Sequence, residues 1–438
     1  MSDPASTKLP EPAIPPAWGP SGRLPPVRIA DIRAICTAPE GIRLVVVKVE
    51  TTDAGLYGIG CATFTQRPLA VVTAVETYLK PLLVGRNPDD IEDIWQAAFH
   101  SAYWRNGPVL NNALSGIDMA LWDIKGKRAG MPLHQLLGGR SRRAADVYVH
   151  VNGRDAAEVE DRIRAQMARG FRHLRVQMAV PGQASYGVGK MQETALGAQP
   201  AQSYRLALDQ GSWEPRPYLR SVLDLFERLR GTFGDTVELI HDVHERVPPI
   251  MAIQLAKDLE PYRLFFLEDP FAPEDQDYLR QLRAQCSTPI ALGELHVGPH
   301  DYVPPIRDRL IDFIRCHVSD IGGITPARKL ASLAEFFGVR TAWHGPGDTS
   351  PVGHAANLHL GLHVPNFGIQ EATLWGEATR AVFPGCPEIR DGSMFANDLP
   401  GLGIDIDEAE AARHGFPDHA LNGAWPEIRR RDGTVIRP

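Results

Sequence analysis

The chain has 438 residues, 43% of them hydrophobic and 23% charged, with a formal net charge of −7. That length accommodates an α/β barrel plus a smaller domain. The apolar share excludes a disordered chain, and the acidic balance argues against a nucleic-acid or anionic-membrane surface.

Residues 1–27 are rich in Pro, Ala and Ser without the apolar stretch of a secretory signal, and they read as a flexible arm. No later run is long and uncharged enough to span a bilayer. The five cysteines Cys36, Cys61, Cys286, Cys316 and Cys386 form no C-x-x-C pair and read as reduced thiols of a cytoplasmic protein. Residues 28–140 predict an α+β domain. Alternating stretches such as Arg43-Leu-Val-Val-Val-Lys-Val-Glu50 are expected to be antiparallel strands, and 69–98 and 110–136 carry helical periodicity.

From 141 to 384 short apolar strands alternate with helices, the pattern of parallel βα units. Strands are expected near 146–151, 172–177, 237–242, 263–268, 289–294, 311–316, 339–343 and 366–371, which suggests a closed barrel. An open dinucleotide-binding sheet loses support because no Gly-x-Gly-x-x-Gly turn follows the first strand. The connection from Met178 to Pro215 is abnormally long for a compact domain and reads as a lid over the barrel mouth. Residues 385–438 lack βα rhythm and are expected to pack back on the N-terminal domain.

Three successive strands end in an acid, at Asp242, Glu268 and Glu294, with a spacing of 26 residues each time. Active sites of such barrels lie where strands end, so these carboxylates should converge and suit a hard cation, Mg²⁺ above all. A lone acid at such a place is more often a helix cap, but three in register are not. Asp269, adjacent to Glu268 on the strand, should point elsewhere. His244, two residues past Asp242, should share its face if the chain stays extended, which brings an imidazole suited to acid–base work beside the metal. Ser319-Asp-Ile-Gly-Gly and Trp343-His344-Gly345-Pro346 are expected to complete the opposite rim, with Arg315, His344 and Glu371 able to hold a polyol carboxylate.

Together, Met119-Ala-Leu-Trp-Asp-Ile-Lys-Gly-Lys, Leu136-Leu-Gly-Gly-Arg, Asp242-Val-His244, Leu267-Glu268-Asp269-Pro270, Gly293-Glu294 and Val364-Pro-Asn-Phe-Gly-Ile-Gln-Glu371 resemble the enolase superfamily, in particular its mannonate dehydratase group. The resemblance covers 28–438. It implies a modified (β/α) barrel with an α+β capping domain, Asp242, Glu268 and Glu294 as Mg²⁺ ligands, and Arg175 with Tyr186 as a base pair. It also implies His244 and His344 as acid–base groups, substrate contacts at His150, Arg315, His344 and Glu371 with Asp348 and Trp375 as further candidates, and a homo-oligomer (tetramer or octamer). Leu174-Arg175-Val176-Gln177 lacks the lysine pair of racemase-like relatives, and His344-Gly345-Pro346 departs from the His-Gly-Ala of efficient mannonate dehydratases, which keeps gluconate open alongside mannonate. The expected activity is loss of water from a hexonate to give 2-keto-3-deoxy-D-gluconate. An acid-sugar epimerase or racemase, or a low-turnover ligand-binding homologue, are the rival readings.

Overall fold

The structure, a computed structural model, describes residues 26–180, 212–416 and 428–437. An antiparallel sheet opens the chain: β1 (Ile29–Thr37) pairs with β2 (Leu44–Thr51), and β2 with β3 (Tyr57–Cys61). The helix Pro108–Ala129 crosses this sheet so closely that β3 turns glycines toward it. A Cβ on Gly58 would overlap the carbonyl oxygen of Ala120, and one on Gly60 that of Gly116. The helical stretch expected over 110–136 breaks at Gly130, left-handed at φ +63°, and resumes at Leu133–Leu136.

A ring of parallel strands follows: β4 (Ala145–Gly153), β5 (His173–Met178), β6 (Glu238–Asp242), β7 (Phe266–Glu268), β8 (Ile290–Leu292), β9 (Phe313–Ile314), β10 (Arg340–Thr341) and β11 (Gln370–Glu371). Neighbours in sequence pair in parallel from β4 to β10. A Thr341–Phe367 bridge leads to β11, which pairs back with β4, so the barrel closes. Its interior is plugged by Tyr148, Ile240, Phe266, Ala291, Phe313, Ala342 and Ile369, all fully buried. No helix among the described residues is long and apolar enough to cross a membrane.

The expectation for residues 385–438 needs correction. A hairpin of β12 (Glu388–Arg390) and β13 (Ser393–Phe395) extends the barrel sheet, pairing antiparallel with the start of β4 at Ala145 and Asp146, whose edge precedes the parallel ladder. The stretch after it does reach the first sheet, where Glu408 pairs with Arg33 (2.6 Å) and Lys48 (2.7 Å). The last hairpin returns to the barrel, with Arg437 on Asp275 (2.6 Å) and the Arg429 carbonyl accepting from Trp213 N (2.9 Å).

Cap and barrel are tied where the Pro108–Ala129 helix meets the loop after β9. Asp118, fully buried, accepts from Thr325 N (2.9 Å) and so caps the helix Ile324–Phe336 from another domain; Trp122 Nε1 donates to Thr325 Oγ1 (2.9 Å) and Trp95 Nε1 to the Gly322 carbonyl (2.9 Å). The Ser319-Asp-Ile-Gly-Gly segment, expected at the rim, serves mainly as this docking point. Asp118→Ala leaves buried donors unpaired, and denaturant unfolding is expected to show a loss of about 1–3 kcal/mol. Unchanged unfolding would show that the tie contributes nothing.

Candidate active site

Side chains alternate along a strand, so the residues two positions beyond the apolar plug point into the barrel one layer higher. They are His150, Asp242, Glu268, Gly293, Arg315, His344 and Glu371, joined by Arg175 from β5. The apolar floor and the polar layer above it are thus one pattern with a step of two residues.

Five carboxylates meet two guanidinium groups here. Arg175 Nη1 lies 2.6 Å from Glu268 Oε1, 3.3 Å from Asp242 Oδ2 and 3.8 Å from Glu371 Oε1. Arg315 reaches Glu268 Oε1 (3.0 Å), Glu371 Oε2 (2.7 Å), Glu294 Oε2 (3.0 Å) and Asp269 Oδ2 (3.8 Å), and it donates to the Tyr148 hydroxyl (3.0 Å). Glu371 accepts from Arg315, from His150 Nε2 (2.6 Å) and from Gly345 N (2.9 Å). Burial works against its charge, but the Arg315 cation above all, with the hydrogen bond from His150, outweighs burial and holds its carboxyl well below the usual range. His150 takes Arg175 Nη2 at Nδ1 (3.2 Å), which leaves its proton on Nε2 facing Glu371.

Two expectations about local geometry are overturned. Asp269 does not point away: its φ of +39° breaks strand alternation, and a carboxylate oxygen joins those of Asp242 and Glu268 within 4.8 Å of one another. Nor does the chain stay extended to His244, which is left-handed at φ +52°; the turn still brings Nε2 to 3.9 Å from Glu294 Oε1. Glu294 itself lies off the inward parity of β8. Gly293, at φ +134°, bends the backbone so that Glu294 swings toward Arg315 and His344.

Other candidates take varied places. His344 Nε2 is 3.3 Å from Glu294 Oε2, and burial pushes its imidazole down to about 3, so it is neutral. Asp348 accepts from Thr65 of the cap (3.3 Å), and burial raises its carboxyl to about 6. Trp375 packs edge-on against His354, with centroids 5.3 Å apart. Tyr186 and most of the Met178–Pro215 connection lie outside the described residues. Sequence reasoning missed Tyr148, whose signal was its place two residues before His150, and His317, which contacts His344 and carried no signal of its own.

The donor set fits a hard cation. Among the described residues, both carboxylate oxygens of Asp242, and Glu268 Oε2, are buried without a hydrogen-bond partner, and carboxylate oxygens are what Mg²⁺ selects. Residues 23–138 match the mandelate racemase / muconate lactonizing enzyme N-terminal domain, and residues 158–410 match the enolase C-terminal domain-like family. The chain belongs to the enolase superfamily. A D-galactonate dehydratase family member of Pantoea ananatis is 55% identical over 414 residues, 94% of this chain and 99% of that one. One of Salmonella enteritidis is 56% identical over 416 residues, with the same shares covered. The crystal structure of an enolase from Pantoea ananatis with bound D-gluconate and Mg superposes with a TM-score of 0.86 at 52% identity, covering 94% of this chain and 100% of that one. Within the enolase superfamily, these relatives carry the D-galactonate name where the motifs pointed to the mannonate dehydratase group.

Burial pushes Glu268 and Asp269 well above the usual carboxylate range, so in the metal-free enolase-superfamily protein protons compete for the oxygens a cation needs. Mg²⁺ binding is therefore expected to release protons and to weaken as pH falls. Titration calorimetry in buffers of different ionisation enthalpy measures this; buffer-independent heats would contradict it.

Proposed function

We propose that this protein is a Mg²⁺-dependent dehydratase of a six-carbon sugar acid, acting on D-gluconate and, through a second base, on D-mannonate. The observation that carries the reading is that buried carboxylate oxygens of Asp242 and Glu268 accept no hydrogen bond among the described residues, in a layer shared with His150, Arg315 and His344 and with His244 3.9 Å from Glu294. The gluconate-bound relative at 52% identity supports the substrate class.

Asp242, Glu268 and Glu294 hold Mg²⁺. Glu294 is preferred to Asp269 because its side chain is more open (18% against 10%). When bound, the ion supplies positive charge against the substrate carboxylate and lowers the cost of removing the neighbouring proton. Without it the carboxylates of this layer would repel an anionic substrate. His244 takes the C2 proton of gluconate and returns a proton to the departing C3 hydroxide on the same face. The product enol tautomerises to 2-keto-3-deoxy-D-gluconate, with one water lost. Mannonate has its C2 proton on the opposite face, so there Tyr186, activated by the Arg175 cation, takes that proton as base and His244 as acid protonates the departing C3 hydroxide. A homo-oligomer in the cytoplasm completes the reading, and light scattering on the purified protein checks the assembly.

Incubation with Mg²⁺ and a panel of D-gluconate, D-mannonate and D-galactonate, assayed for the 2-keto-3-deoxy acid, tests the activity. Formation from gluconate, abolished by EDTA and restored by Mg²⁺, is expected. Solvent deuterium entering C2 without the keto product would instead mark an epimerase. Glu294→Gln should weaken Mg²⁺ binding by at least about tenfold and more than Asp269→Asn does; the reverse order would move the third ligand to Asp269. His244→Asn should remove both activities and Tyr186→Phe only that on mannonate, so equal losses in Tyr186→Phe would refute the two-base scheme.

A further inference from the structure

Past the ends of the neighbouring strands β9 and β10 two buried imidazoles face one another. His317 Nδ1 lies 2.7 Å from His344 Nδ1, with ring centroids 4.9 Å apart and planes inclined by 54°. Nitrogens at that distance bond only when one carries a proton and the other a lone pair. The far edge of His344 decides which. Its Nε2 is 3.3 Å from Glu294 Oε2 and 3.9 Å from Glu371 Oε2. Both oxygens accept hydrogen bonds from Arg315, at 3.0 and 2.7 Å, and the Glu371 oxygen also accepts from Gly345 N, so both present lone pairs. A bare Nε2 facing them would be repelled, which places the His344 proton on Nε2. In the neutral ring Nδ1 is then an acceptor, and the proton between the two rings belongs to His317.

We propose that His317 is a positioning residue that locks His344 in its Nε2–H form, so that His344 meets a sugar-acid oxygen as a hydrogen-bond donor and not as the base. The lock is well built on both sides. The proton that His344 Nδ1 accepts is the one on His317 Nδ1, 2.7 Å away. The His344 backbone is fixed as well, its N–H donating to the Cys316 carbonyl (3.2 Å) and its carbonyl accepting from Asn357 Nδ2 (3.1 Å). A lone pair turned into the site would compete for the C2 proton; a fixed N–H binds or protonates an oxygen. The assignment rests on the sugar-acid reading for its ligand, and it leaves proton abstraction to His244 and Tyr186.

The test uses the Mg²⁺-loaded enzyme labelled with ¹⁵N-histidine. Long-range ¹H–¹⁵N correlation, with the His344 signals assigned by their loss in His344→Asn, is expected to show a protonated Nε2 and an unprotonated Nδ1 near neutral pH. The opposite tautomer, or an imidazolium at His344, would overturn the proposal. Two variants read its consequence: His317→Asn keeps an N–H able to reach His344 Nδ1, while His317→Phe fills the space without one. Phe is expected to lower kcat about 10- to 100-fold with a smaller change in KM, and Asn to recover most of it. Equal kcat in the two variants at equal thermal stability would reduce His317 to packing. If either variant fails to fold, the spectrum of the unsubstituted enzyme still decides the tautomer. Because that spectrum needs no turnover, inactivity on every hexonate would count against the proposed function and leave the tautomer result standing.

Discussion

Carboxylates crowded into a buried space repel one another, and in this barrel Arg315 is the group that makes the crowd tolerable. It is fully buried, and its planar fork spans Glu268, Glu294 and Glu371 while donating to Tyr148 below. Breaking such a network by removing one partner leaves uncompensated buried charge, a cost of several kcal/mol by analogy with other buried pairs. The apolar floor follows from the same need. Tyr148, Phe266 and Phe313 exclude water beneath the layer, which strengthens each pairing above it. Two arginines do not balance five acids, and a divalent cation reduces that residual imbalance.

Backbone conformation at the strand ends delivers the last of these acids. Asp269 and His244 are non-glycine residues in the left-handed region, and Gly293 adopts a φ of +134° where an added Cβ would come within 3.1 Å of Ile314 and 3.2 Å of Cys316. Strained positions of this kind persist where the surroundings over-determine them, and here they lie at the mouth of the barrel. Their effect is to bring side chains of the wrong strand parity into the polar layer, so that two neighbouring acids, Glu268 and Asp269, face one centre.

The capping domain adds a second layer of control. Thr65 from the loop after β3 donates to Asp348 at the rim, and Ile42 packs near Gly347 in the same barrel loop, where an added Cβ would come within 3.2 Å of it. The helix Pro108–Ala129 holds the cap in place through Asp118, Trp122 and Asn111, the last donating to the Asp320 carbonyl (2.6 Å). A shift of that helix would therefore be felt both at the docking loop after β9, which begins two residues past His317, and at the rim above His344.

Much of this was legible in the residues alone, because it depends on local periodicity. Alternation of two marks the strands, acids at a spacing of 26 mark the ends of successive βα units, and the motif set marks the superfamily. Arg315, His344 and Glu371 could be placed near strand ends, and His150 beside them through the resemblance; that each lies two residues beyond a residue of the floor came from the structure. Asp269, the path to His244, the hairpin of β12 and β13 on the barrel edge, and the His317–His344 contact were not legible. The first two hang on left-handed φ values at non-glycine residues, which sequence favours weakly. The hairpin depends on an edge of β4 left open by its own neighbours, and the imidazole pair joins residues 27 positions apart that follow separate strands. Local sequence determined which side chains face the barrel axis; only closure of the barrel decided which of them touch, since those distances are set by the packing of all the strands together.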